Sequence, residues 1–356
     1  MRRTIYEFDE LPREKPHRER AVARRVGGSE MRGPAAGAVA PAAPDSGRAG
    51  VIYNPRSHRN KGQDLALGQR GDVMVATPET REQIAAALTG FARAGIDYLV
   101  INGGDGTVRD VLTLGHGVFG KDWPALAVLP KGKTNALNVD LGAPADWTLC
   151  AALDAYKEGR RVVRRPLQIR DLNGEDLPLH GFILGAGAYT LGVRAGQDAH
   201  ALGFFNSLAV GVTVAWGLGQ TLLGRASNPW RRGVVSDIRL HPADSPLPHS
   251  GAGERDRRTL LLATTLEQLP MGIRPFGKPR EGLKLLAWDR PRRRMIPAIP
   301  AVLAGWESRW LERMGLHRAT APGFTMRLGD QFILDGEAFP AGHYDVRPGP
   351  ELTFVV

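Results

Sequence analysis

One junction constrains this chain more than any other. Gly103-Gly104-Asp105-Gly106-Thr107 follows a strand ending at Asn102 and precedes a segment whose Val108, Val111 and Leu112 fall at helical spacing. Upstream, Val51-Ile52-Tyr53-Asn54-Pro55 and Asp72-Val73-Met74-Val75-Ala76 read as buried strands. Between Glu79 and Ala94 the residues Ile84, Leu88 and Phe91 recur at helical spacing, and Gly95 stops that helix before Tyr98-Leu99-Val100-Ile101. A further apolar run, Ala125 to Leu129, completes a β-α-β-α-β series. That series predicts a doubly wound α/β domain, a parallel sheet with helices on both faces.

At 356 residues the chain has room for a second domain. After Arg160 the pattern changes to short apolar runs broken by Gly and Pro: Arg164 to Arg170, Gly181 to Ala186, Val234 to Leu240, Thr259 to Thr264, and then Phe332 to Leu334, His343 to Val346 and Leu352 to Val356. This spacing predicts an antiparallel β-rich, sandwich-like domain. The expected division is a flexible basic tail over 1–49, an α/β nucleotide domain over 50–160 and a β-rich domain over 161–356. The last strand is allowed to return to the first domain. The tail has almost no hydrophobic periodicity with which to offset the entropy of ordering.

A hydrophobic content of 42% permits packed cores, and a net charge of +10 draws the protein toward polyanions without choosing among them. The single cysteine, Cys150, excludes an intrachain disulfide and a multi-cysteine metal site. Its apolar neighbours Trp147, Leu149, Ala151 and Leu153 suggest a small buried side chain. Met1 to Glu10 lacks the apolar stretch of a secretory signal, so a reducing, cytoplasmic setting is expected.

The glycine-rich junction carries chemistry as well as topology. Glycines let backbone amides approach phosphate, and the helix start favours anions. A carboxylate there, Asp105, is repelled by phosphate unless it acts through Mg²⁺ or a positioned proton, which points to catalysis. A second loop, Leu129-Pro130-Lys131-Gly132-Lys133-Thr134-Asn135, leaves the end of the next apolar run. It is no P-loop, because Ala127 stands where that motif needs glycine. Lys133 could neutralise phosphate and Asn135 could hydrogen-bond it. The bland alternatives are a glycine turn into a capped helix for the first loop and a Pro-Gly turn with a solvated lysine for the second.

Together these residues resemble the diacylglycerol kinase catalytic domain superfamily, which includes bacterial lipid kinases and sphingosine kinases. Asn54-Pro55-Arg56-Ser57 resembles the family's N-P-x-S loop, and Asp335-Gly336-Glu337 its D-G-E motif. The resemblance implies an ATP-binding α/β domain, a β-sandwich that receives lipid, and the cofactors ATP and Mg²⁺. It places Asn54, Ser57 and Thr77 at the nucleotide, Gly103, Gly104, Asp105, Gly106 and Thr107 at its phosphates with Asp105 also toward metal, Asp335 as base toward the acceptor hydroxyl and Glu337 assisting at the nucleotide. The chain departs from the pattern at Lys133, where Thr is usual, at Ala136, where Asp is common, and at Asp110, where Glu is frequent. Asp335-Gly336 is also an ordinary hairpin turn pair.

The expected function is an ATP-dependent lipid kinase acting on a diacylglycerol-like or sphingoid hydroxyl. The rivals are an NAD kinase-like enzyme, which shares G-G-D-G-T, and a noncatalytic lipid or nucleotide binder. Nucleic acid is not expected, and a homodimer stays open. From Ala199 to Gly224 no charged residue occurs, a stretch long enough for a bilayer. Its polar residues and glycines weigh instead toward a buried apolar element or lipid-chain pocket. Arg290 and Arg292 to Arg294 precede Met295, Ile296, Leu303, Trp306, Trp310 and Leu311, which fits either peripheral contact with an anionic membrane or a helix packed on its own domain. His58, His116, His180 and His200 are expected on the surface or in the core, not on a metal.

Overall fold

The computed structural model describes residues 48–57, 59, 60, 73–201 and 228–356. Most of the N-terminal tail and most of the uncharged 199–224 stretch lie outside these residues, as does His58. Among the described residues, no helix is long and apolar enough to cross a membrane.

The expected alternation forms the first sheet. Strands β1 (Ala49–Tyr53), β2 (Val73–Ala76), β3 (Tyr98–Gly103) and β4 (Ala125–Pro130) are parallel in the order β2-β1-β3-β4. Helix α1 (Arg81–Ala94) starts at Thr80, whose hydroxyl accepts from Gln83 N, and ends at Gly95 in the left-handed region at φ 65°. Its Ile84, Leu88 and Phe91 are buried against the sheet together with Val108, Val111 and Leu112 of α2 (Asp105–Phe119). On the opposite face α4 (Leu149–Glu158) packs Ala152 and Leu153 against Tyr98, Val100 and Leu129. Between them comes the short helix α3 (Ala136–Leu141).

Cys150 is exposed, contrary to the expectation from its apolar neighbours. It sits in the first turn of α4, whose buried face is carried by Ala152 and Leu153. Of its neighbours Trp147, before the helix, and Leu153 are buried, while Cys150 and Ala151 turn outward.

The chain then enters β5 (Arg161–Arg164), still at the edge of the first sheet, and continues through β6 (Leu167–Asp171), β7 (Leu179–Gly181) and β8 (Ile183–Gly187) into α5 (Ala188–Ala201). A short helix α6 (Pro229–Arg232) precedes β9 (Val234–Leu240), β10 (Ser245–Pro246), β11 (Arg257–Arg258), β12 (Leu260–Thr264) and β13 (Leu283–Trp288). Two short helices, α7 (Ile299–Leu303) and α8 (Arg309–Arg313), lead to β14 (Leu316–Ala321), β15 (Phe324–Leu328), β16 (Phe332–Leu334), β17 (Glu337–Phe339), β18 (Gly342–Pro348) and β19 (Leu352–Val355).

Two antiparallel sheets result, in the orders β10-β9-β15-β18-β6-β7 and β14-β13-β12-β8-β16-β17. One shared core joins them, with Ile169, Ile238, Phe324 and Val346 from one sheet against Leu184, Leu261, Leu285 and Phe332 from the other. This is a β-sandwich, as the sequence pattern predicts. The last strand, β19, leaves it and pairs with β4 and β5 in the first sheet. Both ends of the sandwich segment are thereby tied to the α/β sheet.

Candidate functional site

In a parallel sheet every strand ends on the same side, so the loops after β1, β2, β3 and β4 share one edge. The strand order reverses between β1 and β3, which opens a crevice there. Asn54, Ser57, Thr77, Lys133 and Asn135 lie on these loops, and Gly103 to Thr107 form the end of β3 and the first turn of α2. Asn54 N donates to Asn102 O at 2.9 Å, and Asn54 Nδ2 donates to Thr107 Oγ1 at 2.9 Å, so the first loop is pinned to the third. Asn60 adds a buried bond from Nδ2 to Asn102 Oδ1 at 2.8 Å. Ser57 is buried, whereas Thr77 and Lys133 are exposed.

The two glycine loops touch through their backbones. A Cβ on Gly132 would lie 2.9 Å from Gly104 Cα, and one on Gly103 would lie 2.5 Å from Thr107 Cβ. Glycine is required because any side chain would part the loops. Asn135, at φ 49°, holds the second loop shut by accepting from Gly132 N at 2.7 Å and donating to Gly132 O at 3.0 Å.

Asp105 closes the junction. Its carboxylate accepts from Asn135 N at 3.1 Å and from Ala136 N at 3.2 Å, the two amides that begin α3. Burial raises its pKa against the pull of these donors. The cap requires only a backbone amide from residue 136, so Ala136 suffices there.

Asp335 approaches from the sandwich. Leu334 pairs with Glu337, leaving Asp335 and Gly336 as a two-residue hairpin turn at φ 46° and 88°. The turn and the inward carboxylate are one device. Asp335 accepts from Phe182 N at 2.9 Å and from Ile183 N at 2.8 Å, at the start of β8. Burial lifts its pKa to about 7 even against these donors, and the negative charge of Asp105 adds to the rise. The two carboxylates therefore share one electrostatic environment. Tyr189, in the first turn of α5, feels both: burial, then Asp335 and Asp105, raise its phenol. Its ring lies against the backbone of Gly185, where a Cβ would come within 2.1 Å.

Glu337 is held in a charge cluster. Arg109, buried on α2, pairs with Glu337 and, at 2.9 Å, with Asp110; Arg81 bridges Asp110 at 3.1 Å and Glu337 at 3.2 Å. Burial opposes the Arg109 charge, but Asp110 and Glu337 outweigh it and raise its pKa. The Arg109 guanidinium also stands 5.9 Å from the Phe339 ring. This cluster fastens the β16–β17 hairpin, and with it Asp335, to α1 and α2. Sequence reasoning missed Arg81, Arg109 and Tyr189. An arginine on the buried face of α2 was the one available signal.

Among the described residues no group of three or more His, Cys, Asp or Glu is placed to hold a metal. His180 is core, stacked 4.6 Å from His116, and burial with His116 beside it holds it neutral, down to about 4.

The site thus joins the glycine loops of an α/β sheet to a buried carboxylate from the sandwich. Residues 48–164 match the family model described as Diacylglycerol kinase catalytic domain, which spans the first sheet through β5. The fold extends beyond that segment. A diacylglycerol kinase from Bacillus anthracis str. Sterne superposes with a TM-score of 0.57 at 15% identity, covering 87% of this chain and 96% of that one. Two further structures from the same organism give TM-scores of 0.56 and 0.55, again at 15% identity with 87% of this chain covered and 96% and 97% of theirs. No curated protein matches the chain by sequence.

Proposed function

We propose that the protein is an ATP-dependent lipid kinase that transfers the γ-phosphate to a lipid hydroxyl of diacylglycerol-like or sphingoid type. One observation carries the reading: Asp335 is buried, backbone-cradled and brought to about pH 7, beside the glycine loops. A general base is most effective when its pKa lies near the working pH. In the transfer the acceptor oxygen bonds to the γ-phosphorus, the bond to the ADP oxygen breaks, and the hydroxyl proton passes to Asp335. The amides of Gly103 to Thr107 receive the phosphates, and the exposed Lys133 ammonium is free to meet them.

Glu337 serves as a positioning group, because Arg81 and Arg109 occupy its carboxylate. A buried carboxylate at the phosphate-facing junction fits a hard cation that also binds nucleotide phosphates, as Mg²⁺ does with one or two carboxylates. Asp105 would hold it, and it would neutralise phosphate charge, leaving Asp335 for the proton. The test is incubation with γ-labelled ATP, Mg²⁺ and extracted lipids. Label in the organic phase is the expected result. Label on NAD would support the NAD kinase-like rival, and nucleotide binding without transfer would support a noncatalytic binder.

A further inference from the structure

Cations converge at the end of the sandwich where β8 hands the chain to α5. Gly187, the last residue of β8, pairs with Leu260, which pairs with Trp288, and Arg290 follows two residues later. Arg231 donates from Nη2 to Pro291 O at 3.1 Å, which fixes its guanidinium at the backbone that joins Arg290 to Arg292. Burial, then the charges of Arg290 and Arg293, lower the proton affinity of Arg231. Burial is the larger cause, and the two arginines add to it. Arg232, Arg290, Arg292, Arg293 and Arg294 are exposed, and among the described residues none of them has an ion pair.

Apolar residues follow them along the chain. Met295, Val302 and Leu311 are buried in a small core with Trp288 and Phe276, so this segment does pack on its own domain. Ile296 and Leu303 nevertheless remain 38% exposed and Trp306 42%. Guanidiniums without ion pairs and exposed aliphatic and indole groups on one segment of chain match the two layers of a bilayer surface, phosphate outside and acyl chain beneath.

The surface is also close to the proposed acceptor site. Ile183, at one end of β8, donates to Asp335, and Gly187 at the other end is about 13 Å away along the strand. Along α5, Tyr189 lies against Gly185, and one turn later Gly192 has Trp230 within 3.9 Å, next to Arg231.

We propose that Arg231, Arg290 and Arg292 to Arg294, with Ile296, Leu303 and Trp306, form a docking surface for an anionic phospholipid bilayer, placed so that membrane contact brings the acceptor site to the lipid. This goes beyond the kinase reading and is testable without it. The full chain is sedimented with phosphatidylcholine vesicles with and without phosphatidylglycerol, with no ATP present. Binding should require phosphatidylglycerol and weaken with salt, and the triple variant R290Q/R293Q/R294Q should lower it roughly 100-fold. The thermal melt of that variant should be unchanged, because all three side chains are exposed. A second variant, W306S, should weaken binding in low and high salt alike. Equal binding to neutral vesicles, or triple-variant binding equal to the parent, would overturn the proposal. Loss of binding to duplex DNA in the triple variant with vesicle binding intact would assign the surface to nucleic acid instead. Phosphorylation of detergent-dispersed lipid reports on the kinase reading separately.

Discussion

Replacing Asp335 with Asn should change how stability depends on pH. The folded protein holds the Asp335 proton up to about pH 7, whereas an unperturbed aspartate releases it near 3.8. Folding therefore favours the protonated form. The stabilisation is complete below the lower value and is lost as pH rises through the upper one. The whole window amounts to roughly 4 kcal/mol, of which about 2–3 kcal/mol falls between about pH 5 and pH 8. Asparagine does not titrate. It also cannot accept from both Phe182 N and Ile183 N, since its NH₂ replaces one acceptor, a pH-independent loss of about 1–3 kcal/mol. Urea unfolding of both proteins in EDTA, at about pH 5 and about pH 8, isolates the difference because the groups remote from Asp335 titrate in common. Relative to the parent, the variant should gain about 2–3 kcal/mol between the two conditions. A stability difference that does not move with pH would refute the buried, elevated carboxylate.

Two further substitutions probe the frame that holds the site. Gly132→Ala should force apart loops whose backbones are 2.9 Å from the added Cβ position, costing about 1–3 kcal/mol and weakening ATP binding in calorimetry; ATP affinity equal to the parent's would show that the loops yield without consequence. Arg109→Met leaves the carboxylates of Asp110 and Glu337 with Arg81 alone and should cost about 3–5 kcal/mol in urea unfolding, with Glu337→Gln added to it restoring part of the loss. A neutral Arg109→Met would mean that the cluster contributes no stability.

Much of the first sheet was legible because each strand is a short apolar run closed by Gly, Pro or Asn. In α1, Ile84, Leu88 and Phe91 mark one face, and Thr80 and Gly95 mark its ends. In the sandwich, β9 and β16 coincide with the runs read from sequence. Strand β13, Leu283–Trp288, is buried on both faces, so it shows no alternation to read, and β14 alternates too weakly to stand out, whereas β15 alternates apolar and polar residues but over only five positions. The site residues that announce themselves are those required for local backbone shape, Gly103, Gly104, Gly132 and the Asp335-Gly336 turn. Those that act across the fold leave no local trace. Arg81 meets Glu337 across 256 positions, and Tyr189 reaches the carboxylates only because α5 folds back over Gly185.

The 199–224 stretch and the Arg290 to Leu311 segment mark the limit of composition. For the second, sequence could not divide the apolar residues into inner and outer sets. The division follows from a chain broken into a 3-10 turn, α7 and α8, which buries Met295, Val302 and Leu311 and leaves Ile296, Leu303 and Trp306 outward.

The central claim is that Asp335 takes the proton of a lipid hydroxyl while the glycine loops hold ATP. It is tested most directly by measuring label transfer from γ-labelled ATP into lipid, with ATP affinity determined alongside, for the parent and for Asp335→Asn. The account predicts transfer by the parent, a loss of about 10²–10⁴-fold in the variant, and ATP affinity unchanged between them. Normal transfer by a folded Asp335→Asn protein would contradict it, leaving Asp335 a hairpin turn residue and moving the search for the base to Asp105.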